Sequence, residues 1–134
     1  MREIKYDAIY KPTGEHFVPV DINFNDKTLT GNFDGKKLDW CHFSLDGKTG
    51  DAILREYTGL KDKNGKEIYE GDVLKGGHLH LTGGFTIDNS HGATVTFAEG
   101  MFKCGRVSLI SFAKRAEVIG NIYENPELLE GEYK

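Results

Sequence analysis

His78 and His80 stand one residue apart, and on a β-strand alternate residues share a face, so two imidazoles at that spacing can hold one metal ion between them. A zinc site needs at least a third ligand, for which only the fold can supply His91, Cys104, His42 or Cys41. Histidines on an edge strand beside glycine-rich turns explain the pair as well, and the sequence favours that plainer reading. The acids Glu67, Glu70 and Asp72 form a second conceivable metal cluster, but an acidic run within a hairpin more often serves the turn itself. Cys41 and His42 are adjacent, so on a strand they face opposite ways and cannot form the hydrogen bond that activates a thiol nucleophile. Ser44, Ser90, Ser108 and Ser111 lie in no nucleophile-elbow context. Gly76, Gly77, Gly83 and Gly84 lack the spacing of a phosphate loop or a dinucleotide fold, and turns account for them. No catalytic residue and no cofactor is expected. Lys61, Lys63, Lys66 and Lys75, with Tyr57 and Tyr69 nearby, suggest a basic and aromatic face for nucleic acid. The interleaved acids Asp62, Glu67, Glu70 and Asp72 largely cancel its field.

These residues are carried by short β-type segments. Ile4, Tyr6, Ala8 and Tyr10 alternate in the first; Val18, Val20, Ile22 and Phe24 alternate in "FVPVDINF", where Pro19 implies an edge or a bulge. "KLDWCHF", "GGHLHLTGGFTI", "ATVTFAEGMF", Val107 to Phe112 and Glu117 to Tyr123 continue the pattern, separated by glycine turns. The prediction is a mainly β fold of short antiparallel strands, a small barrel or sandwich. "NPELLEG" adds a short C-terminal helical turn, with Asn125 as N-cap, Pro126 at the first helical position and Gly131 as terminator. Trp40 beside Leu38, with eight phenylalanines and six tyrosines, is assigned to the core.

The hairpin in "YTGLKDKNGKEIYEGDVLK", residues 57–75, has two competing registers. A two-residue loop at Asn64-Gly65 sets Lys63 opposite Lys66 and Asp62 opposite Glu67, both like-charge pairs. A three-residue loop from Lys63 to Gly65 sets Asp62 opposite Lys66 and Lys61 opposite Glu67, so the three-residue loop with Gly65 left-handed is expected. Further on, Gly71 with positive φ and Asp72 bonding to local amides predict a corner.

The bulk figures bound the rest. A chain of 134 residues and 15.0 kDa is the size of a single domain with one core. The net charge of -4 lies in residues 116–134, which hold one basic and five acidic side chains, so the rest gives no long-range attraction for nucleic acid or anionic membrane. No apolar run is long enough to span a bilayer and Met1–Lys5 leads into polar residues, which makes the cytoplasm the expected location. Two distant cysteines predict free thiols.

"YTGLKDKNGKEIYEGDVLK" together with "EVIGNIYENPELLE", residues 117–130, resembles the YopX family of small proteins encoded by bacteriophages and prophages, mainly of Gram-positive bacteria. "MREIKYDAIY" is similar to that family's start, which more usually has tryptophan in place of Ile9 or Tyr10; residues 11–50 and 76–116 carry no recognisable family pattern. The resemblance implies a mainly β fold and a phage gene outside the structural and replication sets, with no biochemical activity attached. The resulting expectation is a non-enzymatic accessory module in the bacterial host cell that binds a host or phage macromolecule, with self-association through an exposed sheet edge. Its alternatives are nucleic-acid binding by the lysine hairpin and, behind that, metal binding at His78 and His80.

Overall fold

The structure is a computed structural model that describes residues 4–76, 78–80, 86–88, 92–105, 107–125 and 127, with the backbone alone at 78–80, 86–88 and 107. In chain order the strands are β1 (Tyr6–Tyr10), β2 (Glu15–Phe17), β3 (Asp21–Asn23), β4 (Thr28–Phe33), β5 (Lys36–Ser44), β6 (Ala52–Lys61) and β7 (Glu67–Tyr69). Then follow β8 (Asp72–Lys75), β9 (His78–His80), β10 (Thr86–Asp88), β11 (Ala93–Ala98), β12 (Met101–Cys104) and β13 (Val107–Ser108). The helix α1 (Leu109–Phe112), a 3-10 turn (Ala113–Arg115) and β14 (Glu117–Asn121) complete the order. The fold is mainly β, as the alternation predicts. Its sheets are open and sandwich-like, and none among the described residues closes into a barrel. No helix among them is long and apolar enough to cross a membrane.

The chain divides into two compact units, Glu3–Tyr57 and the remainder from Thr58 onward, so the single core expected from length becomes two hydrophobic clusters. In the first unit the strands run in the order β2-β1-β6-β5-β4-β3. Neighbours are antiparallel except β5 and β6, which pair in parallel through Phe43 with Ala52 and Ser44 with Ile53. Ala8, Phe17, Leu29, Phe33, Cys41, Phe43, Ala52 and Leu54 form its core. The Phe17 ring stacks on Phe33 with centroids 4.9 Å apart and lies over Gly31, where a Cβ would come within 2.6 Å of it.

Two expectations fail in this unit. The strand predicted over "FVPVDINF" is broken into β2 and β3 around Pro19, which has no ladder donor. Val18, Val20 and Phe24 are consequently exposed, and β3 is a sheet edge. Trp40, assigned to the core, is 61% exposed. On β5 the inward positions are taken by Cys41 and Phe43, and alternation turns Trp40 and His42 outward, where their rings meet edge to face at 5.4 Å.

In the second unit β13-β12-β11-β8-β14 form an antiparallel sheet, and β9 pairs with β10. The end of β6 and β7 form the predicted hairpin. The strand expected from Val107 to Phe112 stops at Ser108 and gives way to α1 and the 3-10 turn. The reason was legible: Leu109, Phe112, Ala113 and Ala116 recur at helical spacing, and all four are buried with Ile68, Leu74, Val95 and Cys104. Apart from Asn125 and Glu127, the helical turn predicted over "NPELLEG" lies outside the described residues.

Candidate binding surface

The hairpin of residues 58–69 has the expected three-residue loop. The Asp62 amide donates to the Lys66 carbonyl at 2.9 Å, the Gly65 amide donates to the Asp62 carbonyl at 3.0 Å, and Gly65 has φ +84°. That is a type I turn closed by a left-handed glycine, which frees the loop of the like-charge pairs. The Asp62 side chain plays a part that local spacing does not reveal. Far from being a solvated partner of Lys66, Asp62 is 6% exposed. Its Oδ1 accepts the amides of Asn64 (2.8 Å) and Lys66 (2.9 Å), and its Oδ2 accepts the amide of Val118 (2.9 Å) on β14. Burial alone pushes the carboxyl pKa up, but the amides of Val118, Lys66 and Asn64, helped by the Lys66 charge, outweigh it and hold the value below the ordinary aspartate range.

Asp62 therefore clamps the loop to a segment more than fifty residues away. Two more contacts complete the dock: the Lys63 amide donates to the Ala116 carbonyl at 3.0 Å, and Asn64 Nδ2 donates to Glu117 Oε2 at 3.5 Å. Lys61, Lys63 and Lys66 stand exposed around the loop, and Lys114 and Arg115, also exposed, immediately precede Ala116. The fold thus assembles cations from two parts of the chain. Lys75, exposed at the end of β8, pairs in register with Glu117 and so sits at the margin. Tyr69 is half-buried and its hydroxyl donates to Glu67 at 3.2 Å, while Tyr57 is buried, with the Lys5 ammonium 5.3 Å from its ring centroid. Neither tyrosine offers the stacking face that the sequence suggested.

The corner after β7 forms as predicted. Asp72, 4% exposed, accepts the Tyr69 amide at 2.8 Å. Gly71 has φ +89°, donates its amide to Val95 and accepts that of Ile122. A Cβ there would lie 2.8 Å from the Tyr123 ring, so the close approach itself requires glycine.

The other candidates come apart. His78 and His80 lie on β9, opposite Asp88 and Thr86 in the backbone register, and their side chains lie outside the described residues. No group of three or more potential metal ligands occurs among the described residues. Cys41 is buried and His42 exposed, on opposite faces as expected. Burial, then Asp51 and Asp39, push the Cys41 thiol up to about 11, which opposes nucleophilic chemistry. Cys41 and Cys104 are not joined in a disulfide. One constellation went unseen in the sequence: Asp7 Oδ2 accepts from Arg55 Nη2 (2.7 Å), Arg55 Nε (3.2 Å) and His16 Nδ1 (2.9 Å). Arg55 is almost wholly buried, so this group works as a cross-strand staple joining β1, β2 and β6. Only the register Asp7 to Arg55 places them together.

A family model described as YopX protein matches residues 18–130. The match takes in residues 18–50 and 76–116, where no pattern was legible, while the whole of the opening motif, residues 1–10, precedes it. Among solved structures, the chain is similar to one titled crystal structure of protein EF1440 from Enterococcus faecalis, at 25% identity and a TM-score of 0.63, covering 97% of this chain and 100% of that one. Among curated proteins, none matches.

Proposed function

The chain belongs to the YopX family, and from that premise we propose that it is a non-enzymatic phage or prophage accessory protein, a module that acts inside the bacterial cell by contacting a macromolecule. One observation carries the reading: the most conspicuous polar residues of the 57–75 run are spent on backbone geometry. Asp62 and Asp72 are buried acceptors of main-chain amides, and Gly65 and Gly71 hold left-handed turns. What remains for solvent is a cationic loop in one unit and, in the other, exposed Trp40, Leu38, Val18, Val20 and Phe24. Such surfaces suit contact and not turnover, since neither brings an acid, a base and a nucleophile together. The test is recovery of the untagged protein from infected cells. A stoichiometric protein or nucleic-acid partner is expected; a protein recovered alone that turns over a small metabolite would overturn the proposal.

A further inference from the structure

We infer that Asn64 is a site of spontaneous covalent modification, a deamidation that the Asp62 clamp holds silent and that runs when the clamp opens. Asn64 is the only asparagine of the chain followed by glycine, and it stands exposed in the loop Lys63–Gly65. Glycine carries no side chain to shield its amide nitrogen, so that nitrogen can attack the carboxamide carbon of the residue before it. In this step the Gly65 nitrogen loses its proton to a base in solvent and bonds to Cγ of Asn64, the Cγ–Nδ2 bond breaks, and ammonia leaves. Water then opens the cyclic imide at either carbonyl, giving aspartate or an isoaspartate whose main chain runs through the side-chain carbons. Only water is consumed, and nothing is oxidised or reduced.

The folded loop blocks the first move. The Gly65 amide donates to the Asp62 carbonyl at 3.0 Å, which engages the proton that must leave, and ring closure requires the Asn64–Gly65 peptide to rotate out of the turn. Asn64 is held on both sides: its amide donates to Asp62 Oδ1 at 2.8 Å, and its Nδ2 donates to Glu117 Oε2 at 3.5 Å. The same Asp62 carboxylate takes the amides of Lys66 and Val118, each at 2.9 Å, so the turn and its attachment to β14 depend on one side chain. Deamidation therefore proceeds from the locally opened hairpin, and its rate follows the population of that open form. The products do not fit the closed form. Aspartate replaces the donor facing Glu117 with a second carboxylate. Isoaspartate lengthens the main chain by a carbon atom within a turn closed by Gly65 at φ +84°. A transient opening thus becomes a lasting release of the hairpin from β14.

The experiment incubates the intact protein in mildly alkaline buffer, native and unfolded in guanidinium, and follows Asn64 by peptide mapping through the mass gain from amide to acid. Asp34-Gly35 and Asp46-Gly47 can form the same imide but return to their starting mass, so they do not interfere. Conversion is expected to be slow in the native protein and fast in guanidinium. Asp62→Ala should raise the native rate at least about tenfold, the equivalent of about 1.4 kcal/mol of lost closure. Asp62→Asn, which keeps the oxygen facing Asn64 and Lys66, should raise it less, and it replaces Asp62→Ala if that variant does not fold. The isoaspartyl form, isolated after refolding, should lose amide-exchange protection at Val118. Native conversion as fast as in guanidinium, no acceleration in the folded Asp62 variant, or an isoaspartyl form with full protection at Val118 would each overturn the inference.

Discussion

Replacing Asp62 by alanine removes the side chain that clamps the hairpin to the Val118 amide of β14, and the cost can be worked from its three partners. The amides of Asn64 and Lys66 belong to exposed residues and can turn to water, so each loss should cost about 0.5–1 kcal/mol. Val118 is half-buried, and its amide, left without an acceptor, should cost about 1–3 kcal/mol. The sum predicts about 3 kcal/mol for Asp62→Ala, at the severe end for a single substitution. Asp62→Asn keeps the oxygen facing Asn64 and Lys66 but turns an NH2 group toward the Val118 amide, so about 1–2 kcal/mol is expected. The pH dependence has a definite sign. Because the folded carboxyl pKa is depressed, the contribution is fully present above the unfolded aspartate value of about 3.9 and disappears as pH falls through the lower folded value. Urea unfolding followed by far-UV circular dichroism at pH 7 and at a series of acidic pH values measures both effects. Amide exchange at Val118 localises them, which Trp40 fluorescence, reporting on the other unit, cannot do. An Asp62→Ala protein within 0.5 kcal/mol of wild type, or a difference that persists undiminished at the acid end, would refute the clamp.

Gly71→Ala should destabilise by about 2 kcal/mol or more, because it combines a left-handed alanine with a collision against the Tyr123 ring. Gly65→Ala, at similar φ but in open space, should cost only about 1 kcal/mol, and thermal melts of the two separate strain from collision. Trp40, the only tryptophan, should be quenched by acrylamide in the native protein nearly as readily as in the unfolded one, and Trp40→Ala should change stability by less than about 1 kcal/mol. Ellman's reagent at pH 8 should find Cys41 and Cys104 slow in the native protein and both reactive in denaturant; rapid labelling of Cys41 would contradict its burial and raised pKa.

Local rules carried the argument where a residue's role depends on its immediate neighbours. The loop at Lys63–Gly65, the left-handed Gly71 and the Asp72 acceptor were all legible, because turn geometry and charge opposition are settled within a few residues. The mainly β class was legible from alternation for the same reason. Location was not. Alternation states that Trp40 and Cys41 face opposite ways without stating which faces the core, and the packing of Phe17, Phe33 and Phe43 beside Cys41 decided that. Helical spacing from Leu109 to Ala116 was present but masked by a short β-type run. The pairings of Asp62 with Val118, Lys63 with Ala116 and Asp7 with Arg55 each join residues about fifty positions apart, and only tertiary contact brings such groups within hydrogen-bond range. The sequence therefore determined which turns this chain makes, while the fold decided which distant residues those turns meet, as the Asp62 carboxylate meets the Val118 amide.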